Sequence, residues 1–373
     1  MQSMDSQLTA LSPLRVPIFR NVWLASLCSN FGSLIQSVGA AWLMLEMTRQ
    51  ADMVALVQTS VALPVVLFSL LGGAIADSLD RRRVMLAAQF FMLVVSAALA
   101  VCAWQDLLTP WLLLGFTFLI GCGASFNGPA WQASVQDMVT RPQLSAAVAL
   151  NSMGFNLARS TGPAIGGAIV AMAGAAAAFA VNAFSYLGLI GVLWRWRPVQ
   201  EPRLLPRERL ASAMAAGFRY VMLSPAIRIV LLRSMIFGLG AGAVLALLPL
   251  IAAHLLNGGA LVYGLLLGAF GLGAVVAALA STRVRERCST EAIVRWASAG
   301  CALALAGAAA SSAFILTALA LFGAGIGWVL ALSTFNVTVQ LSAPRWVVAR
   351  VLALYQMAAF GGLASGSWLW GWM

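Results

Sequence analysis

Eleven apolar runs, each close to the ~20 residues that a helix needs to cross a ~30 Å hydrocarbon core, follow one another with short polar breaks. The runs span 22–45, 53–76, 84–104, 110–136, 145–172, 175–194, 226–253, 261–282, 292–309, 311–340 and 348–373. Inside a bilayer the backbone must satisfy its own hydrogen bonds, so runs of this length are helices. With 62% of its 373 residues apolar and 9% charged, the chain is too apolar for a soluble core. It reads as an all-α polytopic membrane protein.

Charge and side-chain chemistry narrow the function. The net charge of +11 suggests nucleic acid at first sight, but the arginines fall in alternate loops and form no single basic face, so no nucleic-acid partner is expected. The chain has no lysine, which excludes the phosphate-binding loop of an ATP-driven pump. Cys28, Cys102, Cys122, Cys288 and Cys301 show neither metal nor disulfide spacing, and His254 is the lone histidine. No metal site, cofactor or catalytic centre is therefore expected. The polar N-terminal tail lacks a cleavable signal, so the first run is a retained helix.

Nineteen of the 22 arginines lie in the tail, in the loops after the even-numbered runs, or at their edges. Arg49 lies on the other side, and Arg159 and Arg233 fall inside or near the membrane. This asymmetry puts the N-terminus in the cytoplasm. The stretch 196–224, with Pro198, Pro202 and Pro206, reads as a cytoplasmic linker between halves 1–195 and 225–373. The halves repeat. A shift of 204 residues places Arg81 and Arg83 on Arg285 and Arg287, Gly121 and Gly123 on Gly325 and Gly327, and Gly162 on Gly366. Six spans per unit return the chain to its starting side, so the repeat is parallel. The counterpart of the sixth run would begin near residue 379, past Met373, and the chain is expected to be truncated after its eleventh helix.

Between the second and third runs lies the hairpin Gly73-Ala-Ile-Ala-Asp77-Ser-Leu-Asp-Arg81-Arg82-Arg83. Gly73 permits close helix approach, and Asp77 is placed to pair with Arg81 or to cap a neighbouring helix. Two six-helix halves, a basic linker and this hairpin resemble the major facilitator superfamily. Gly73, Asp77, Arg81 and Arg82 match the glycine, aspartate and paired basic positions of its signature, which implies a gating role for them. Ser78 and Asp80 depart from that signature, and the second copy, Ala277 to Arg287, has Ser281 in place of the aspartate.

The fifth run carries Gly162-Pro163 and Gly166-Gly167, which resembles the antiporter signature of drug exporters, with Ala149 and Ala158 in place of its leading glycines. A proline and paired glycines allow a bend and a close seam. The fourth run lacks the arginine that many proton-coupled exporters carry there. The stretches Trp42 to Thr48, Asp80 to Arg83 and Asn156 to Arg159 are similar to one branch, that of the enterobactin exporter, the transmembrane secretion effectors. The resemblance implies a monomeric multi-pass protein of the bacterial inner membrane that exports a small molecule by alternating access, with protons as the coupling ion. A non-transporting or inactive truncated membrane protein is the rival reading.

Arg159 is the leading candidate for the substrate cavity. It lies fourteen residues after Ser145, ~21 Å along the helix, where a guanidinium costs at least ~2.5–3.5 kcal/mol to insert. It must face the interior and find a partner. Ser152, Phe155 and Asn156 share its face. Two roles are open to it, holding an anionic group in a cavity or capping carbonyls at the proline break. In the first run Ser26, Ser29, Asn30, Ser33 and Ser37, with Gln36 beside them, form a polar stripe that lines either a cavity or a helix contact. No carboxylate sits at mid-membrane, and Glu46 is either a protonatable group near a cavity mouth or an ordinary solvated helix end. A cationic cavity favours an anionic substrate.

Overall fold

The computed structural model describes residues 11–197, 210–344 and 347–373, without the side chains at 74, 76–78, 210–214, 282 and 349. Among the described residues the regular structure is entirely helical. The principal helices are α1 (Pro17–Thr48), α2 (Ala51–Ser78), α3 (Arg81–Trp104), α4 (Pro110–Ser134), α5 (Leu144–Arg195) and α6 (Leu210–Leu223). They continue with α7 (Pro225–Leu250), α8 (Ala260–Arg287), α9 (Thr290–Ala310), α10 (Phe314–Ser342) and α11 (Val348–Trp372). Helix α5, 52 residues long, holds the fifth and sixth apolar runs as two arms that turn at Gly174, whose φ of 77° and ψ of 172° suit glycine alone. Among the described residues eight helices are long and apolar enough to span a membrane by composition. In α1 and α11 the serines, Asn30, Gln36 and Gln356 dilute the apolar character.

Helix α6 is new relative to the sequence reading. It occupies the end of the stretch read as a linker, of which residues 198–209 lie outside the described part. It packs on α11, where a Cβ on Gly217 would come 2.8 Å from that of Arg350.

The packing has two-fold character. α1 lies on the first arm of α5 as α7 lies on α11, α2 lies on α4 as α8 on α10, and α3 on α4 as α9 on α10. These pairs exchange under the 204-residue shift. Gly162 abuts Leu34 of α1 and its counterpart Gly366 abuts Leu239 of α7, while Gly121 meets Pro64 and its counterpart Gly325 meets Phe270. Small residues at matched places let the backbones approach, which is the main source of helix attraction in lipid.

Two seams join the repeats, α5 with α8 and α2 with α11. Along the first, Gly167 lies against Ala260, Gly264 against Pro163, Gly268 against Ser160 and Gly271 against Arg159. Along the second, Gly371 lies against Ala51 and Ala55, and Thr59 Oγ1 donates to the Ala364 carbonyl at 3.0 Å. Both seams run from the arginine-poor ends to mid-helix. Toward the arginine-rich ends the helices part, leaving Met153, Phe155 and Leu67 about half exposed. The result is a cleft that opens at the arginine-rich face.

Candidate functional site

Arg159 lies at the closed end of this cleft, where the α5–α8 seam begins. Its guanidinium carbon sits 5.7 Å from the ring centroid of Phe270 on α8 and 5.9 Å from that of Trp328 on α10. Those rings pack edge to face at 5.8 Å, and Phe237 of α7 and Phe335 of α10 extend the aromatic set. An arginine of the first repeat thus rests on the aromatic wall of the second. A cation over a ring gains ~0.5–2 kcal/mol, so two rings offset much of the ~2.5–3.5 kcal/mol insertion cost. They accept none of its five N–H donors in the plane of the guanidinium. Among the described residues Arg159 has no hydrogen bond and no ion pair, and no carbonyl near Pro163 takes its protons.

The neighbours read from sequence fall on the same surface. Ser152 is exposed and Asn156 half-buried, with Asn156 Nδ2 donating to the Ser152 carbonyl at 2.9 Å. Asn30 is half-buried and Ser33 exposed, between half-buried Ser26 and Ser37. At helical spacing these four span an arc of about 60°, on the side of α1 away from exposed Leu24 and Cys28. Gln36 lies elsewhere. It is 5% accessible, and its Oε1 accepts from Asn182 Nδ2 at 2.5 Å and from Ser96 Oγ at 2.6 Å. Asn182 also donates to Tyr186 Oη at 3.0 Å. Ser33 stays exposed while its hydroxyl reaches Tyr186 at the edge of this knot, and one turn on Gln36 is sealed within it, where α1, α3 and the second arm of α5 meet.

The Gly162-Pro163-Gly166-Gly167 segment acts as a double seam. Gly162 and Gly166 receive α1 at Leu34 and Ile35, Gly167 receives α8, and Gly264 packs on the Pro163 carbonyl. The backbone stays helical through Pro163, and among the described residues of α5 the non-helical position is Gly174. The turn at Gly174 is the connection between the fifth and sixth runs, and no non-helical backbone marks the bend expected at Pro163.

At the hairpin, Leu79 and Asp80 alone separate α2 from α3. The side chain of Asp77 lies outside the described residues. Arg81 pairs with Asp137 at 2.9 Å and donates to the Ala133 carbonyl at 2.9 Å. Arg82 donates to the carbonyls of Leu193 and Trp194, each at 2.8 Å. Asp80, a departure from the signature, accepts from the Arg83 amide at 3.3 Å and caps α3. The expected close approach at Gly73 is absent, because a Cβ there would meet nothing within 4 Å. Its neighbour Gly72 is the crowded one, where a Cβ would come 2.6 Å from the Ser125 carbonyl oxygen.

Glu46 is exposed at the arginine-poor end, outside the cleft. It accepts from Trp42 Nε1 at 2.7 Å, and Trp42 stacks on Tyr263 of α8 at 6.4 Å. Arg233, expected in or near the membrane, pairs with Glu291 in the first turn of α9 at 2.6 Å. Sequence reasoning missed Phe270, Trp328, Ser96 and Asn182. The residues they serve, Arg159 for the two rings and Gln36 for Ser96 and Asn182, lie sixty residues or more away, so no local spacing marks those contacts. The Trp42–Glu46 pair was findable from its i, i+4 spacing.

Known proteins share this arrangement. The inward-facing, unoccupied structure of a bacterial homolog to the human lysosomal transporter Spinster superposes with a TM-score of 0.72 at 15% identity, over 95% of this chain and 81% of that one. The nucleoside transporter NupG gives 0.73 at 12% identity, over 95% and 90%. In sequence, enterobactin exporter EntS of Shigella dysenteriae serotype 1 (strain Sd197) is 28% identical over 379 residues, 98% of this chain and 88% of that protein. The staphyloferrin A transporter of Staphylococcus aureus (strain NCTC 8325 / PS 47) is 25% identical over 256 residues, 68% of this chain and 64% of that protein. The family model described as transmembrane secretion effector matches residues 8–373. With the major facilitator fold already visible in its paired repeats, the chain belongs to the transmembrane secretion effector family.

Proposed function

We propose that the protein is a secondary exporter that moves a small anionic molecule across the bacterial inner membrane by alternating access. Units 1–195 and 225–373 are its moving halves, and 196–224 is the link between them. The arginine asymmetry supports a cytoplasmic N-terminus and a cleft that faces the cytoplasm. The family supports export, and relatives named for enterobactin and staphyloferrin A support a small-molecule cargo. Arg82 and the Arg81–Asp137 pair hold the hairpin to the ends of α4 and α5, which suits a gate built into the first half.

The observation that carries the reading is Arg159, a guanidinium held by ring faces with its in-plane donors unspent. A carboxylate or phenolate in the cleft completes those donors. Ser152, Asn156, Asn30 and Ser33 supply further polar contacts along the way in. The substrate approaches from the arginine-rich face, docks its anionic group on Arg159, and leaves when the seams open and the cleft closes behind it. A proton counter-flux suits such a cycle. Glu46, being exposed and bonded to Trp42, is placed to respond to the seam between α1 and α8 but not to touch cargo in the cleft.

The test is efflux from cells that carry Arg159→Ala or Arg159→Lys, with membrane abundance measured alongside. Hydrogen bonds to a charged group contribute ~1.5–3 kcal/mol, so the alanine variant loses about 10- to 150-fold in transport efficiency for an anion. The lysine variant keeps the charge without the planar fork and falls between. Undiminished anion efflux by the alanine variant, or efflux of cations alone by the parent protein, refutes the proposal.

A further inference from the structure

The outer surface of the second repeat carries a feature unrelated to the cleft. A groove with about 200 Å³ of free space runs between α8, α9 and α10 near their arginine-rich ends. Val284, Ile293, Trp296, Ile326 and Leu330 line it, and Cys288 marks its end. Three of its wall positions, Gly300, Gly323 and Gly327, are glycines, and the first two hold it open. A Cβ on Gly300 or on Gly323 would meet nothing within 4 Å, so each leaves room that a side chain would fill. Trp296 forms the rim and is 79% exposed. The walls belong to helices long and apolar enough to span the membrane, so the medium on this face is acyl chain.

The end of the groove is basic. Arg283 and Arg287, on the last turns of α8, are exposed and have no hydrogen-bond or ion-pair partner among the described residues. Arg295 precedes Trp296 and remains 76% accessible while bonding Glu291 at 3.1 Å. Two carboxylates face this end from the packed elements. Glu291 is already shared between Arg233 and Arg295, and Glu286 is exposed on α8. Arginine is in excess.

We infer that this groove binds an anionic phospholipid of the leaflet at the arginine-rich face, one acyl chain lying along Trp296 and over Gly300 and Gly323, its phosphate between Arg287 and Arg295. A basic end on an intramembrane groove is the arrangement that selects anionic headgroups over zwitterionic ones. The chain contributes apolar contact, and the arginines contribute the discrimination. The inference holds whichever way the protein is inserted and does not rest on the transport reading.

The test is native mass spectrometry of the full chain extracted from bilayers of equal phosphatidylglycerol and phosphatidylethanolamine. The parent protein retains one phosphatidylglycerol with a preference of about fivefold for each engaged arginine. Arg287→Gln reduces that preference about fivefold, and Gly300→Leu, which fills the groove, removes the retained lipid. Phe184→Leu, on the exposed surface of the other repeat, changes neither. Equal retention of the two lipids overturns the headgroup assignment. Retention of phosphatidylglycerol that survives both Arg287→Gln and Gly300→Leu, or a dimer mass in which the groove is covered by a second copy, overturns the site. Since Arg287 is a surface residue, its variant reads out even where Gly300→Leu does not fold.

Discussion

Replacing Gln36 with leucine separates two meanings of a polar residue inside a membrane helix. In the structure Gln36 Oε1 accepts two short hydrogen bonds, from Asn182 Nδ2 at 2.5 Å and Ser96 Oγ at 2.6 Å, and all three residues are at most 5% accessible. Loss of the acceptor leaves Asn182 with Tyr186 Oη at 3.0 Å, and leaves Ser96 with a 3.4 Å contact to the Phe179 carbonyl. In membrane proteins such bonds average ~0.6 kcal/mol and reach ~1.7, so two of them amount to about 1–3 kcal/mol. Partial re-pairing within the knot holds the value to the lower part of that range. The assay is thermal unfolding of purified protein in detergent, where Gln36→Leu lowers the apparent Tm by about 2–6 °C. A double-mutant cycle with Asn182→Leu is non-additive, because the second substitution removes a bond the first has already broken. Efflux per folded molecule stays within about twofold, since the side chain does not reach the cleft. An unchanged Tm together with abolished efflux refutes this reasoning and returns Gln36 to the cavity.

Four further outcomes follow from the same packing. Gly72→Ala destabilises, because its Cβ would come 2.6 Å from the Ser125 carbonyl oxygen, whereas Gly73→Ala is neutral or gains up to ~1 kcal/mol in helix propensity; the pair is read by thermal unfolding. Arg81→Ala costs more stability than Asp137→Asn, since Arg81 also holds the Ala133 carbonyl and the exposed ion pair alone is worth under ~1 kcal/mol; equal losses would count against that ranking. Gly167→Val wedges α5 from α8 at the arginine-poor end, so cysteines placed on that seam become more reactive to a membrane-impermeant thiol reagent. Trp42→Phe keeps the stack on Tyr263 and removes only the bond to Glu46, so it costs less in thermal unfolding than Trp42→Ala, which loses both; equal losses would count against the stack.

Much of this architecture is written locally. Apolar length gives the spans, the 204-residue offset gives the paired repeats, and the stripe of Ser152, Asn156 and Arg159 gives one wall of the cleft. What resisted reading is set by neighbours far away in the chain. Ser33 and Gln36 are three residues apart and equally polar, yet one faces the cleft and the other is sealed by Ser96 and Asn182. Gly72 and Gly73 are adjacent, and the helix azimuth alone decides which of them meets α4. Arg159 was expected to hold an anionic group or to cap carbonyls at the proline break. Ring faces from the other repeat hold it, and aromatic residues are too common in membrane helices for Phe270 and Trp328 to stand out. At the hairpin, Asp80 departs from the signature glycine for a local reason, since it opens α3 as its cap.

The brevity of the connections has a mechanical consequence. Arg49 and Gln50 join α1 to α2, Leu79 and Asp80 join α2 to α3, and Gly174 alone turns the two arms of α5. Links of one or two residues transmit a displacement almost undiminished, so a push on one helix is a push on its neighbours. At these three joints the first repeat is stiff in the way a truss is stiff, with Arg81 and Arg82 as cross-ties at its open end. Compliance is confined to places held mainly by contact, the glycine ladder of α5 on α8 and the line of α2 on α11 with its Thr59–Ala364 hydrogen bond. A machine built this way bends at its bearings and not in its beams.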